Sequence, residues 1–314
     1  MQASKECSTT GGHATTDMLM HASKTTLAKG ESTDHYLERI THVTLNNKKL
    51  STLTNLDRCT NVKVLYLYDN KIAHLDSTLS SLRHLTHLHL QRNRISKMEH
   101  FEALVHLEKL YLEGNRISRL AGLAHCTLLH ELHLSNQTLG NDEEDGGGGG
   151  DGCGFTFEAH SMATLGQSLR ILNVSNCNIR DPQPIQSLRR LESLDLSRNC
   201  IHSIDDVYGL VGNLRSLKEL NLTNNSVNAT PKYRDNTIIF SHASLATLDN
   251  KPIDAKQRAT MQTHMAFKHK KRHYDPNARA ISSTNDDNPP MSLSLNVLGN
   301  NPWVSVSSPN QDHH

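Results

Sequence analysis

The leucines of this chain recur in a fixed pattern of apolar and polar positions, L-x-x-L-x-L-x-x-N-x-L, with a period near 22 residues. The clearest copies are the third and fourth, at residues 85–95 and 107–117. Degenerate copies place Lys48, Gln137 or Cys177 where asparagine is expected. Eight copies span roughly residues 37 to 228, so most of the chain is built from one repeated unit.

Each copy predicts a short strand followed by a turn. In L-x-L the leucines point inward and the intervening residue points outward, because side chains alternate along a strand. The asparagine after the strand is predicted to be buried, with its amide satisfying backbone groups and forming a ladder from copy to copy. Between copies, residues 96–107 and 118–129 carry apolar side chains at three-residue intervals, which predicts a 3₁₀ or α-helical turn on the convex side. The predicted fold class is therefore α/β, a leucine-rich repeat solenoid whose ends need caps.

Composition along the chain divides it into three parts. Residues 37–253 are predicted to hold the solenoid and a C-terminal cap. Residues 1–36 are predicted to be a disordered tail, and 254–314 a helix-prone basic segment followed by another disordered tail, because both have little apolar content. Between the fifth and sixth copies the interval is 40 residues, and its acidic, glycine-rich stretch, 141–154, is predicted to be a disordered loop.

Charge and composition narrow the function classes. With 33 basic and 32 acidic residues the net charge is +1, which gives no strong attraction to nucleic acid or an acidic membrane. No apolar stretch approaches the roughly 18 residues that a membrane helix needs, and the N-terminal residues lack the apolar core of a secretory signal. We therefore expect an intracellular chain whose six cysteines are free thiols.

The common catalytic motifs are missing from the sequence. The chain contains no P-loop, H-E-x-x-H or G-x-S-x-G, so we expect a non-catalytic protein without a cofactor. His87 and His89 share the concave face, with His130 and His133 farther along, but no cysteine or carboxylate accompanies them at ligand spacing, so no metal site is predicted. The basic run 268–273 fits either a solvated face or a nuclear or nucleic-acid-binding segment.

The concave strand surface is the remaining candidate for function. The outward position between the two strand leucines holds, copy by copy, Thr44, Tyr66, His89, Tyr111, His133, Asn173, Asp195 and Asn221. Tyrosine is enriched in binding hot spots, although strands also favour it for other reasons. Because the aromatic residues fall in the N-terminal half, we predict a partner-binding patch there. It comprises Tyr66, Tyr68, His87, His89, Lys109, Tyr111, Glu113, Glu131 and His133.

Several segments resemble a known family. The cap contains the pair Tyr233-Arg234 and a later L-x-x-L-D ending at Asp249, and it resembles the cap of the SDS22-like leucine-rich repeat class. Across roughly residues 37 to 255 the sequence is similar to the testis leucine-rich repeat family of protein phosphatase 1 regulatory subunits. The discriminating segments are residues 66–70, Asn136-Gln137 and residues 231–235.

This resemblance implies a regulator that binds the protein phosphatase 1 catalytic subunit, with a gamma-type isoform suspected. It also implies a cytoplasmic, cytoskeletal location at the microtubule organizing center, or centrosome, in male germ cells, with tubulin or other cytoskeletal proteins as further candidate partners. We expect no nucleic acid or membrane partner, and a monomer before complex formation. Many phosphatase regulators dock through a short basic-Val-x-aromatic segment. The one near match in this sequence, residues 63–66, lies in a predicted strand whose Leu65 points into the core. The concave face is therefore the predicted docking surface.

Two other function classes stay open. A microtubule- or centrosome-associated scaffold would use the same solenoid without binding a phosphatase. A nuclear RNA-processing leucine-rich repeat protein would need a basic concave surface, and Glu113, Glu131 and Asp195 argue against that class.

Overall fold

The computed structural model describes residues 12–138 and 154–273. The strands are β1 (His42–Thr44), β2 (Val64–Tyr66), β3 (His87–His89), β4 (Lys109–Tyr111), β5 (Arg119–Leu120), β6 (Glu131–His133), β7 (Thr156–Phe157), β8 (Ile171–Asn173), β9 (Ser193–Asp195), β10 (Glu219–Asn221), β11 (Thr247–Leu248) and β12 (Lys251–Pro252). The α-helices are α1 (Thr16–His21), α2 (Thr33–Arg39), α3 (Ala159–Leu165), α4 (Ile204–Asn213), α5 (Tyr233–Phe240) and α6 (Ala255–His273).

One strand from each repeat contributes to a ten-stranded sheet, in the order β1-β2-β3-β4-β6-β8-β9-β10-β11-β12. The repeat strands pair in parallel with their central apolar residues opposite one another, as in Leu88 with Leu110 and Leu110 with Leu132. These three leucines are fully buried, and the residues beside them on each strand face outward. The predicted leucine-rich repeat solenoid is confirmed.

The asparagine ladder is present and joins neighbouring repeats. Asn115 Nδ2 donates to the carbonyls of Leu112 (2.8 Å) and Leu90 (3.0 Å), and its Oδ1 accepts from the Ile95 amide (3.0 Å). Gln137 reproduces the pattern with a longer side chain, and the Cys177 thiol donates to the Leu134 carbonyl at 3.0 Å. Equivalent bonds are made by Asn70, Asn93, Asn199 and Asn225.

The connections on the convex side form some, but not all, of the helical turns that the sequence predicts. Helical turns occur at Leu56–Arg58, Ser77–Ser81, Gln183–Ser187, Ser226–Ala229 and in α4. The helical turns predicted for residues 96–107 and 118–129 are wrong, because the chain there forms non-helical turns in which His100 and Gly122 have φ of 65° and 74°. Left-handed residues interrupt a right-handed helix. A Cβ at Gly122 would lie 2.5 Å from the Met98 carbonyl oxygen.

After the 40-residue interval between the fifth and sixth copies, the chain returns to the convex side of the solenoid. Strand β7 pairs in parallel with β5 in a separate two-stranded sheet, and α3 follows. Ser161 Oγ accepts from the Leu123 amide at 2.9 Å, which fixes α3 to the preceding repeat. The loop predicted to be disordered, 141–154, lies outside the described residues except for Gly154.

The expectation of a disordered tail over residues 1–36 is wrong from Gly12 onward, because α1 and α2 form an N-terminal cap. Tyr36 is buried, and its hydroxyl donates to the carbonyls of Met20 (3.0 Å) and Thr25 (2.9 Å). The Thr44 amide of β1 donates to the Ala22 carbonyl at 2.8 Å, so the cap also pairs with the edge of the sheet. Residues 1–11 lie outside the described part of the chain.

The C-terminal cap consists of α5 and the β11–β12 hairpin. Arg234 Nη1 donates to the Leu248 carbonyl at 2.8 Å, and Tyr233 and Leu248 are buried against the last repeat. Helix α6 then runs across the segment predicted to be helix-prone; the side chains of the basic run 268–273 and residues 274–314 lie outside the described part of the chain. In the described ranges, every helix is too short or too polar to traverse a bilayer.

Candidate partner-binding surface on the concave face

Four aromatic side chains stand in one row across the concave face, one each from β2, β3, β4 and β6. The row contains Tyr66, His89, Tyr111 and His133 in register. Neighbouring ring centroids are 4.6, 4.4 and 5.0 Å apart, with interplanar angles of 26°, 8° and 19°. Because parallel strands lie about 4.8 Å apart, rings in the same slot of successive strands stack. We call these four side chains the ring stack.

The polar half of the same row is built differently. Asn173 Oδ1 accepts from the Ser175 amide at 3.0 Å, and Asp195 Oδ1 accepts from the Ser197 amide at 2.8 Å. Asn221 Oδ1 accepts from the Thr223 hydroxyl at 2.8 Å. These side chains are engaged by their own turns, so they present less binding area than the ring stack.

Glu131 is the centre of the hydrogen bonds beside the ring stack. Its Oε1 accepts from the Tyr111 hydroxyl at 2.7 Å and lies 3.1 Å from His133 Nε2, while its Oε2 is 2.8 Å from Lys109 Nζ. Burial alone would raise the pKa of Glu131, but the hydrogen bonds from Lys109, Tyr111 and His133 lower it to about 2. The ionised carboxylate therefore holds the orientation of two rings in the stack.

The histidines on β3 are uncharged at neutral pH. Burial, with a smaller contribution from His87, lowers the pKa of His89 to about 4. The pKa of His87 is also lowered, first by burial and then by Lys109. Since both imidazoles are neutral, His89 contributes an uncharged ring to the ring stack.

The remaining predicted residues border the ring stack. Tyr68 meets Tyr66 edge to face, with centroids 6.4 Å apart. Glu113 follows β4, and its side chain is 25% exposed. Its Oε1 lies 3.9 Å from His133 Nδ1, and its Oε2 accepts no hydrogen bond from the residues described. Burial raises the pKa of Glu113, although its own backbone amide, His133 and Arg92 oppose that effect. The structure thus brings all nine predicted residues onto one face.

Two features of this surface lie outside the predicted patch, although the sequence pattern places Gln91 at an outward position. Gln91 lies beside Glu113, and its Oε1 likewise accepts no hydrogen bond from a described residue. At the border, Arg92 Nη2 donates to Asp69 Oδ2 at 2.7 Å. The signal for this ion pair is present in the sequence, because Asp69 and Arg92 occupy equivalent turn positions, both with positive φ, in neighbouring copies.

The described residues contain no group of three or more histidine, cysteine or acidic side chains placed to hold a metal ion. His84 stacks on His106, with centroids 6.4 Å apart. Of the described cysteines, Cys59, Cys126 and Cys177 are buried and Cys200 is exposed, all as free thiols. Burial raises the pKa of Cys126 to about 12, so this thiol stays protonated and is a poor nucleophile.

Comparison with known proteins supports the fold. A family model described as Leucine Rich repeats (2 copies) matches residues 167–209, and a Leucine Rich repeat model matches residues 81–97. A crystal structure of an internalin (inlF) from Listeria monocytogenes is 26% identical with a TM-score of 0.54, and the match covers 74% of this chain and 61% of that one.

An internalin C2 (inlC2) structure from the same organism is 21% identical with a TM-score of 0.54, over 75% of this chain and 90% of that one, and it shows likeness of fold alone. This chain thus spans 61% of the first internalin. The repeat models and the first internalin support the leucine-rich repeat fold. The chain folds as a leucine-rich repeat solenoid.

Proposed function

We propose that this chain is a non-catalytic regulator that binds the protein phosphatase 1 catalytic subunit through its concave face. The ring stack is the observation that carries the proposal. It combines aromatic area with polar neighbours on a rigid sheet, which is the composition of a binding hot spot.

The ring stack is ordered before any partner arrives. Tyr111 and His133 are held by Glu131, which Lys109 also contacts, and His89 lies between Tyr66 and Tyr111. Ordering side chains at an interface costs roughly 0.5–1.5 kcal/mol each, so a surface that is already ordered loses less on binding.

The identity of the partner is supported by the family resemblance. Of the discriminating segments, residues 66–70 bring Tyr66 and Tyr68 to the concave face, whereas Gln137 belongs to the ladder and residues 231–235 belong to the cap. The resemblance also supports the proposal of a cytoplasmic location linked to the cytoskeleton and the centrosome.

Docking through a short extended segment is less favourable than docking through the folded concave face. The near match at residues 63–66 contains all of β2, where Leu65 is buried and pairs with Leu88. Withdrawing Leu65 would forfeit about 2 kcal/mol of apolar burial in addition to the strand hydrogen bonds. We therefore propose docking by the folded face.

The test immobilises the full chain and measures saturable binding of the purified phosphatase catalytic subunit, with purified tubulin measured in parallel. A peptide containing a basic-Val-x-aromatic segment is added as competitor. We expect phosphatase binding that this peptide does not displace. Binding of tubulin without phosphatase would favour the scaffold alternative, and displacement by the peptide would contradict docking by the folded face.

A further inference from the structure

Two hydrogen-bond acceptors on the concave face lack donors. Glu113 Oε2 and Gln91 Oε1 are buried, and neither accepts a hydrogen bond from any residue in 12–138 or 154–273. The two residues follow β4 and β3, which are adjacent strands in register, so both acceptors lie along one flank of the ring stack, next to Tyr111 and His89. A buried acceptor without a donor is costly, and such groups in native proteins need an explanation.

Neighbouring donors are already engaged elsewhere. Lys109 is paired with Glu131, and Arg92 is paired with Asp69. His133 Nε2 lies 3.1 Å from a Glu131 oxygen, whereas its Nδ1 is 3.9 Å from Glu113. Glu131 therefore contacts three donor side chains, while Glu113 has none within hydrogen-bond distance among the described residues. Glu113 is thus the carboxylate beside the ring stack that lacks a donor side chain, although His133 and Arg92 lie near enough to favour its charged form.

The chemistry of the missing donor follows from the arrangement. Acceptors on adjacent strands are about 5 Å apart at the backbone, which suits a donor with several N–H groups spread over a plane. A guanidinium carries five such donors, pairs with carboxylates and stacks on aromatic faces. His89 and Tyr111 have both faces covered by their neighbours in the ring stack, so they present ring edges to this position, and Tyr68 is the adjacent ring outside the stack. A lysine ammonium is a compact point charge and matches this arrangement less well.

We propose that Glu113 and Gln91 form an arginine-binding subsite, which takes an arginine side chain of the protein partner beside the ring stack. The proposal rests on the proposed function of the concave face as a protein-docking surface, but it names a ligand that can be tested without any phosphatase. Both oxygens are covered in the free chain, so the part-exposed side chains of Glu113 and Gln91 turn outward to meet the guanidinium, which supplies the N–H donors that these oxygens lack. The ring stack covers the apolar stem of the arginine.

The test titrates N-acetyl-L-arginine methylamide into the full chain and follows the side-chain amide signal of Gln91 by NMR. The matched probes are the citrulline derivative, which keeps the shape without the charge, and the lysine derivative, which keeps the charge without the planar donors. We expect saturable shifts at Gln91 with arginine, and binding weaker by roughly tenfold or more with the other two probes. Equal binding of the citrulline or lysine derivative, or no shift with arginine, would overturn the proposal.

Two variants locate the subsite. Glu113→Gln should weaken arginine binding by about tenfold or more, whereas Glu219→Gln, an exposed change on the polar half of the concave face, should leave it unchanged. Gln91→Lys places an ammonium beside Glu113, so it should abolish arginine binding while raising the thermal midpoint. Unchanged arginine binding in folded Glu113→Gln or Gln91→Lys contradicts the subsite. If arginine binds but the phosphatase does not, the choice of partner is wrong and the subsite remains.

Discussion

At the scale of single residues, Asn115 stabilises two repeats at once. Its amide bonds the Leu112 carbonyl in its own repeat and the Leu90 carbonyl and Ile95 amide in the preceding one. Replacing it with alanine leaves the buried Ile95 amide without a partner, while the Leu90 and Leu112 carbonyls keep one donor each, from Asn93 and Gln137. We expect Asn115→Ala to lower the free energy of unfolding by about 1–3 kcal/mol or more, measured by urea denaturation.

The control for that change is Glu102→Ala, an exposed position one repeat away. A surface change of this kind should alter stability by no more than about 0.5 kcal/mol. Equal stability of the two variants would show that the ladder contributes little to the fold.

The titration of His89 contributes to the loss of folding stability at acid pH. Burial, then His87 and Lys109, lower its pKa from 6.5 to about 4, with Glu131 opposing. Between these pH values the unfolded chain binds the extra proton, so the free energy of unfolding should fall as the pH drops from 6.5 towards 4. In urea titrations across this range, His89→Phe should flatten the slope, because it keeps a ring but cannot titrate. An unchanged slope in His89→Phe, or the same flattening in exposed His202→Phe, would contradict this origin.

Sequence reasoning predicted the outward slots correctly because alternation along a strand has a period of two. The spacing of the leucines alone placed Tyr66, His89 and Tyr111 in one row. It could not predict that Glu131 is surrounded by donors while Glu113 is not. That difference depends on side-chain orientation and on which residues face each other across strands.

At the scale of elements, the N-terminal cap was the principal error. Helices α1 and α2 contain 6 and 7 residues, too few for a helical period to stand out in a polar stretch. A signal was present nonetheless, because Thr15 and Ser32 precede the two helices as capping residues and accept from Met18 and His35 amides. The turns at 96–107 and 118–129 were also wrong, because apolar spacing alone does not reveal a left-handed residue.

The N-terminal cap should therefore be essential for stability. Tyr36→Phe removes the hydroxyl that bonds Met20 and Thr25, and it should cost about 1 kcal/mol. Tyr36→Ala also removes a buried ring and should cost about 3–5 kcal/mol. Lys24→Ala, an exposed change in the same segment, should have little effect in the same denaturation experiment. If all three variants matched the unchanged chain, residues 12–36 would not act as a cap.

At the scale of the whole molecule, the solenoid converts repetition in sequence into one continuous sheet with an aromatic half and a polar half. Each repeat contacts mainly its neighbours, so the core is extended and the concave face is broad. The repeat pattern predicted this architecture because every copy carries the same inward leucines. The inward leucines do not distinguish the two halves; the choice of the N-terminal half as the binding surface rests on the outward aromatic residues and stays a prediction.

The most direct test of docking through the ring stack is the affinity of the purified phosphatase catalytic subunit for the double variant Tyr66→Ala, Tyr111→Ala. Glu131 keeps its contacts with Lys109 and His133, so the variant should stay folded, which circular dichroism checks. Loss of two hot-spot rings is expected to weaken binding by about 2 kcal/mol or more, roughly thirtyfold.

The matched control is Ile171→Ala with Ser193→Ala, two outward changes on the polar half of the same face. We predict a large loss for the tyrosine pair and near-unchanged affinity for the control. Undiminished affinity of the folded tyrosine variant, together with a loss in the control, would contradict docking through the ring stack and place the docking surface on the other half of the solenoid.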